Sequence, residues 1–330
     1  MKSSGIGGQA VIEGVMMRHD SDVAVAVRRP DGVIEVGRMK YTNLAKKNKF
    51  FSFPIIRGVV SFISSLVLGI KTLTYSASFY EEEETGKEKQ EKKDNSKGEN
   101  AMMFGTVAFS LIFAVALFIV LPYFVSSWIM KLTGSESQLL LAVIEGVLKL
   151  AIFIGYIAAI SRMKDIKRTF MYHGAEHKCI NCIESGRELN VDNVMKSSKE
   201  HRRCGTSFVV FVLVISIIFF MFIRVSNPIL RVALRLILVP VIAGVSFEFI
   251  QWAGNSDSKA AAILAKPGLW MQGLTTKEPE RKMAEVAIAS VEAVFDWREY
   301  LRGQGFEVSD PEPVETGIEE VSIEAEGDKE

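Results

Sequence analysis

Four long apolar stretches constrain this chain more than any other feature. They run over about residues 101–128, 139–160, 206–223 and 232–252. A helix needs about 20 apolar residues to cross the hydrocarbon core of a bilayer. There every backbone N–H and C=O must be paired within the segment, so such stretches are read as helices. The first and third carry no charge; the second is interrupted by Glu145 and Lys149, the fourth by Arg235 and Glu248. A fifth candidate, Pro54–Phe79, has an uncharged core of 13 residues, Gly58 to Ile70, between Arg57 and Lys71. That core is short for a span and suits a re-entrant or interfacial helix.

The distribution of basic residues orients these segments. Nine Lys/Arg precede Pro54, and ten lie between Arg162 and Arg203. The positive-inside rule places both regions in the cytoplasm. They share one side if the four strong segments span and residues 54–79 do not. The expected fold class is therefore an all-α membrane bundle: four transmembrane helices, one re-entrant or interfacial segment, and a small cytoplasmic α+β portion. The expected location is the plasma membrane, multi-pass, with both termini in the cytoplasm and the lipid bilayer as the first partner. No apolar run follows a basic N-terminus, so no cleaved signal peptide is expected. The 39 basic residues balance 39 acidic ones, and no nucleic-acid partner is expected.

The polar parts divide by composition. Residues 1–53 hold a glycine-rich lead and the run VAVAVRRPDGVIEV (23–36), whose Pro-Asp-Gly turn between β-rich flanks signals a hairpin. Residues 80–100 read as a charged low-complexity linker. Residues 161–205 form a polar loop. In 253–306, Met283, Val286, Ala287, Val291 and Val294 recur at helical spacing, which predicts an amphipathic helix packing on a protein partner or the membrane face. The tail 307–330, with ten acidic residues and one lysine, is read as disordered. The Glu145–Lys149 spacing predicts an ion pair within one helix.

The chemistry concentrates in the loop 161–205. It holds all three cysteines, Cys179, Cys182 and Cys204, and three of the four histidines, His173, His177 and His201. An odd number of cysteines is a poor disulfide framework, and reduced thiols beside histidines point to metal. His173-Gly-Ala-Glu176-His177 is an H-x-x-E-H string. On a helix the two imidazoles share a face, and Glu176 lies beside them as a candidate general base. A third ligand and an open position are then needed, and Glu248 is a candidate. The second pattern, Cys179-x-x-Cys182 followed by His201-x-x-Cys204, has the spacing of a closed structural zinc site. One site of either kind, or two sites, fits the pattern. The mixed nitrogen and sulfur donors favour Zn²⁺.

Six strings together resemble the YqhQ family of bacterial membrane proteins: GGQAVIEGVMMR (7–18), PIIRGVVSF (54–62), YHGAEHKCINCIE (172–184), HRRCGTSF (201–208), FEFIQWAG (247–254) and KPGLWMQGLTTKEP (266–279). The resemblance implies a bacterial plasma-membrane protein of a domain family without an assigned function, labelled a predicted metal-dependent enzyme. It carries over no catalytic residue. It does draw attention to Glu13, Trp270 and Gln272, which either complete the His/Cys site or serve as surface carboxylate, interfacial anchor and packing.

The leading expectation is a zinc-dependent membrane hydrolase. His173 and His177 are its metal ligands and Glu176 its base, with Cys179, Cys182, His201 and Cys204 holding a second, structural ion. The alternatives are a zinc-braced scaffold that binds a protein through the amphipathic helix, and a transporter built on Glu145, Lys149 and Glu248.

Overall fold

The computed structural model describes residues 3–41, 49–84, 96–222, 225, 227–256, 258–309 and 318–322. The N-terminal region is a meander of β1 (Ile6–Val11), β2 (Gly14–His19), β3 (Asp22–Arg28) and β4 (Ile34–Lys40), each antiparallel to the next. The glycine-rich lead, read as a leader to one hairpin, is itself the hairpin β1–β2. Its tight turns set Glu13 and Asp20 at φ of 49° and 50°. Within the tail read as disordered, Ile318–Ser322 forms β5, parallel to β4. The rest of that tail, except 307–309, lies outside the described residues.

Both faces of the sheet are covered, so β3 alternates by size rather than by polarity. Val23, Val25 and Val27 pack with Leu68 on helix α1 (Ile56–Glu84), with Tyr75, Phe79 and Tyr80 around them. Ala24 and Ala26 face helices α5 (Lys164–Glu184) and α10 (Arg281–Glu292), where small side chains let helices approach. Met283, Val286, Ala287 and Val291 of α10 are fully buried there, and Ser290 donates to the Ala24 carbonyl at 3.1 Å. The amphipathic face expected to meet a partner or the membrane is thus spent on the chain's own sheet. The apolar burial that would have rewarded an external partner is realised internally.

The apolar part contains α2 (Ser96–Val115), α3 (Leu121–Thr133), α4 (Gln138–Ile160), α7 (Gly205–Met221) and α8 (Pro228–Asn255). A π turn, Ala116–Val120, joins α2 to α3. Pro122 explains it: proline has no N–H to donate and its ring crowds the carbonyl four residues earlier, so the ladder widens. Among the described residues, four helices are long and apolar enough to cross a membrane: Ile56–Tyr80, Ala108–Thr133, Leu139–Ile160 and Val232–Ala253. Gly205–Met221 is apolar but 17 residues long. Residues 54–79 and 206–223 thus exchange rank by length. Helix α1 runs unbroken through Lys71, and Arg57 is paired with Glu248 of α8. The charged linker is helical at its ends, where α1 reaches Glu84 and α2 starts at Ser96; residues 85–95 lie outside the described residues.

Glu145 does not pair with Lys149 within α4. It gives both oxygens to Arg235 of α8, and Lys149 sits 4.6 Å from the Phe220 ring centroid. Guanidinium offers a two-pronged match to a carboxylate that an ammonium cannot, which favours the cross-helix pair.

Three short elements complete the fold around the loop: α6 (Val191–Lys196), α9 (Lys259–Thr275) and α11 (Trp297–Gly303). Helix α9 packs along α7 and brings its C-terminal end to α5.

Candidate metal centre

Helix α5 carries the centre, and its phase decides which residues enter. With about 100° per residue, positions 173, 176, 177 and 180 share one face. His173, Glu176, His177 and Ile180 line a cavity of about 110 Å³, together with Gly7 and Gly8 of β1, His201, Arg203, Cys204 and Gly205. Gly174 is needed in this helix. A β-carbon there would lie 2.0 Å from the Lys277 carbonyl oxygen, and Lys277 N–H bonds the Phe170 carbonyl.

Both imidazoles are locked by their far nitrogens. His173 Nδ1 lies 2.9 Å from the Thr275 carbonyl and His177 Nδ1 2.6 Å from the Lys199 carbonyl. A carbonyl can only accept, so each Nδ1 carries a proton there, and the neutral form of each ring has its lone pair on Nε2. Metal-binding histidines are oriented in this way. Cys204 caps α7, accepting from Thr206 N–H at 3.4 Å, and its Sγ stands 3.2 Å from His173 Nε2. That is near the roughly 3.5 Å between nitrogen and sulfur ligands on one tetrahedral Zn²⁺. His173, His177 and Cys204 each offer a donor atom within 4.8 Å of the others. Cys204 stands where a third donor could complete the two imidazoles, whereas Glu248, the candidate from the sequence, is bound to Arg57.

Glu176 sits beside this triad, 4% exposed, with one oxygen 3.8 Å from His173 Nε2. Burial pushes its carboxyl up to about 7, against the opposing pull of His173 and a hydrogen bond from the Gly8 backbone. Gly8 makes that bond possible: a β-carbon there would lie 2.9 Å from Glu176 Cγ and 2.6 Å from the Met16 carbonyl. Gly8 of β1 is thus the close-approach site for the carboxylate.

Cys179 and Cys182 are not part of the centre. Position 179 lies about 200° around the helix from His177, and both thiols are buried in the core shared with α10 and the sheet. Cys182 points to the Glu188 carbonyl at 3.4 Å. Burial raises the Cys179 thiol well above its ordinary range and lifts Cys182 to about 11. The knuckle expected from Cys179, Cys182, His201 and Cys204 is not assembled, because the helical phase sends two of its four members away from the other two.

His201 lines the cavity outside the triad. Gln272 of α9 holds it by both backbone groups, accepting from His201 N–H at 2.9 Å and donating to its carbonyl at 2.8 Å. Lys178 and Asn181 fix the preceding loop through the carbonyls of Met195, Ser197, Ser198 and Glu200. Glu184 supports the same corner. Burial would raise its carboxyl, but the nearby His201 ring, both donors of Ser4 and the Arg203 guanidinium hold it down to about 2. Lys178, Asn181, Glu184 and Gly8 were not legible as site residues; for Asn181 and Glu184, four and seven residues after His177, helical spacing was the available signal.

His173, Glu176, His177, His201 and Cys204 all fall within residues 53–297, which match the model of a family described as a protein of unknown function, DUF1385. The Uncharacterized protein YqhQ of Bacillus subtilis (strain 168) is 35% identical over 289 residues, covering 86% of this chain and 90% of that protein. The chain belongs to the DUF1385 family. No solved structure matches it. Of the other residues marked by the resemblance to YqhQ, Glu13 is bound by Arg168 and accepts from Tyr172 Oη at 3.2 Å, on the side of α5 away from the cavity. Trp270 is 61% exposed on the outside of α9. Of the residues in the YqhQ-like strings, Gly7, Gly8, His173, Glu176, His177, His201 and Cys204 line this cavity and Gln272 braces it, while Glu13 and Trp270 do not.

Proposed function

We propose that the protein is a zinc-dependent membrane enzyme, a hydrolase working at the cytoplasmic face of the bacterial plasma membrane. The observation that carries this reading is the pair of imidazoles, locked at Nδ1 and converging at Nε2 with Cys204 beside a buried carboxylate. Three protein donors with a cavity next to them resemble catalytic rather than closed structural zinc sites. His173, His177 and Cys204 would hold the ion, and bound zinc would supply Lewis acidity and a more acidic water. Glu176 accepts the proton that a nucleophilic water must lose, and the Gly8 N–H keeps the carboxylate in place. Gln272 and Glu184 position the His201 corner.

The membrane arrangement we favour keeps four spans, with α1 lying in the interface and both termini in the cytoplasm. Its support is the two-sided character of α1. Phe62, Ile63, Leu66, Val67, Ile70 and Leu73 are exposed along one side, while Leu68, Thr72 and Ser76 face the sheet. A helix packed on the chain's own sheet on one side, with an open apolar stripe on the other, suits the boundary between water and lipid. The scaffold alternative loses its docking face, since α10 is covered by the sheet.

The test is elemental analysis and hydrolysis of ester, amide and phosphoester substrates by the purified full chain. One metal per chain is expected, lost from His173→Ala/His177→Ala and from Cys204→Ala, and kept in Cys179→Ser/Cys182→Ser. Glu176→Gln should keep the metal and lower hydrolysis by about 10²-fold or more. Full activity in Glu176→Gln removes the base from this scheme.

A further inference from the structure

Resting on the metal reading above, we infer that this cavity takes a phosphate group, so that the enzyme acts on a phosphoester. Beside the triad, the cavity lining carries donors: Arg203 and Gly205 flank Cys204, and the His201 ring stands 5.5 Å from that of His177. Arg203 lines the cavity, giving one guanidinium nitrogen to Glu184. The fork of an arginine has five N–H donors, so one anchored arm leaves others for a ligand. His201 is 7% exposed, and its Nε2 is buried without a hydrogen-bond partner, 3.8 Å from Glu184. A buried polar atom left unpaired is costly and points to a group that completes it. Helix α7 begins at Gly205 on the same lining, so the positive end of its backbone dipole meets the cavity, a geometry that favours anions.

Donors on Arg203 and at the start of α7, with the unpartnered His201 Nε2 and the triad around the same cavity, suit a tetrahedral oxyanion with several acceptor oxygens better than a planar carboxylate with two. Glu176 is the carboxylate on this lining, and it stands beside His173. Size points the same way. About 110 Å³ is well below the 300–1,000 Å³ of pockets that enclose a drug-sized ligand, so a substrate inserts a small group and leaves its remainder outside. The cavity opens at the head of an apolar helix, where a lipid could present its headgroup; a soluble phosphoester offers the same chemistry.

The experiment measures inorganic phosphate binding by calorimetry to metal-loaded full-length protein in phosphatidylcholine nanodiscs, with metal content measured on each sample. Arg203→Gln is expected to weaken phosphate at least tenfold with metal content unchanged, and Arg203→Lys, which keeps the charge for Glu184 but loses the fork, to weaken it less. Discs doped with phosphatidic acid separate the sources: a weaker apparent phosphate affinity there assigns the site to a lipid phosphate, an unchanged one to a soluble phosphoester. Metal-loaded protein that does not bind phosphate, or binds it equally well in both Arg203 variants, overturns the inference while leaving the metal centre standing. Protein that takes up no metal defeats the metal reading itself.

Discussion

Glu145 and Arg235, 2% and 3% exposed, are buried as deeply as Glu176 and His177, 4% and 1% exposed, yet the two clusters are built differently. In the bundle the carboxylate and guanidinium close on each other, with aromatic rings of Tyr123 and Phe220 around the guanidinium. At the head of α7 the side chains are braced from behind, by Thr275, Lys199, Gly8 and Gln272, and their free atoms converge on open space. Depth of burial alone therefore does not mark a site. What marks it is where the lone pairs and donors are aimed once the structural partners are counted.

The largest separation between the clusters should come from removing their central members. His173→Ala/His177→Ala should abolish metal uptake. Glu145→Gln should leave metal content unchanged but lower stability by about 3–5 kcal/mol, because it strands the Arg235 charge in an apolar bundle. Elemental analysis together with thermal unfolding in detergent measures both. If Glu145→Gln also empties the metal centre, the two clusters are one coupled unit and the contrast fails.

Gln272→Leu probes the brace behind the site. It leaves the His201 N–H and C=O without the partners they have now, which should cost about 2–3 kcal/mol. Metal content should persist, since His201 stands outside the triad, while phosphate binding weakens with the displaced His201 corner. Loss of the metal from Gln272→Leu would place His201 among the ligands.

What could be read from the chain follows the range of each interaction. The apolar helices and the crowding of His and Cys into one loop are local in sequence and were legible. So was the His173–Glu176–His177 face, which one helical turn defines. The choice of Cys204 over Glu248 was not, because it depends on how α7 is docked against α5. The partner of Glu145 lies 90 residues away, and the nearer Lys149 hid it. Gly8 misled because glycine weakens a strand on its own; here its missing side chain is what brings the strand against Glu176. The spacing of Cys179 and Cys182 matched a zinc knuckle, but spacing carries no phase, and the helix turned both thiols inward.

Gly8→Ala tests that close approach. The new methyl would press on Glu176 Cγ, the Met16 carbonyl and Met17 Sδ, all within 2.9 Å of it, and overpacking of this kind costs about 1–3 kcal/mol. The backbone carbonyl cannot retreat without disturbing β1–β2, so Glu176 gives way. Metal content should stay at one per chain while hydrolysis falls, a split that elemental analysis and rate measurements on one sample detect. Equal loss of both would mean that Gly8 supports the fold of the whole centre rather than the carboxylate.

The smallest effect is expected from Cys179→Ala/Cys182→Ala, and it sharpens the comparison within a single helix. A thiol must be deprotonated to ligate zinc or to react, and burial holds both of these above neutrality, Cys182 at about 11. Their sulfurs fill core space against α10 and the sheet, so replacing them should cost about 1–2 kcal/mol, the ordinary range for a small core truncation. Cobalt-substituted protein separates the three cysteines directly. A thiolate-to-metal charge-transfer band should survive in Cys179→Ala/Cys182→Ala with unchanged position and disappear in Cys204→Ser. Maleimide labelling of the metal-free native protein should modify Cys204 first, at the cavity wall, and added zinc should protect it. A band that instead follows Cys179 or Cys182 would mean that α5 rotates or unwinds on binding metal, and that the core face of the helix, not its cavity face, holds the ion.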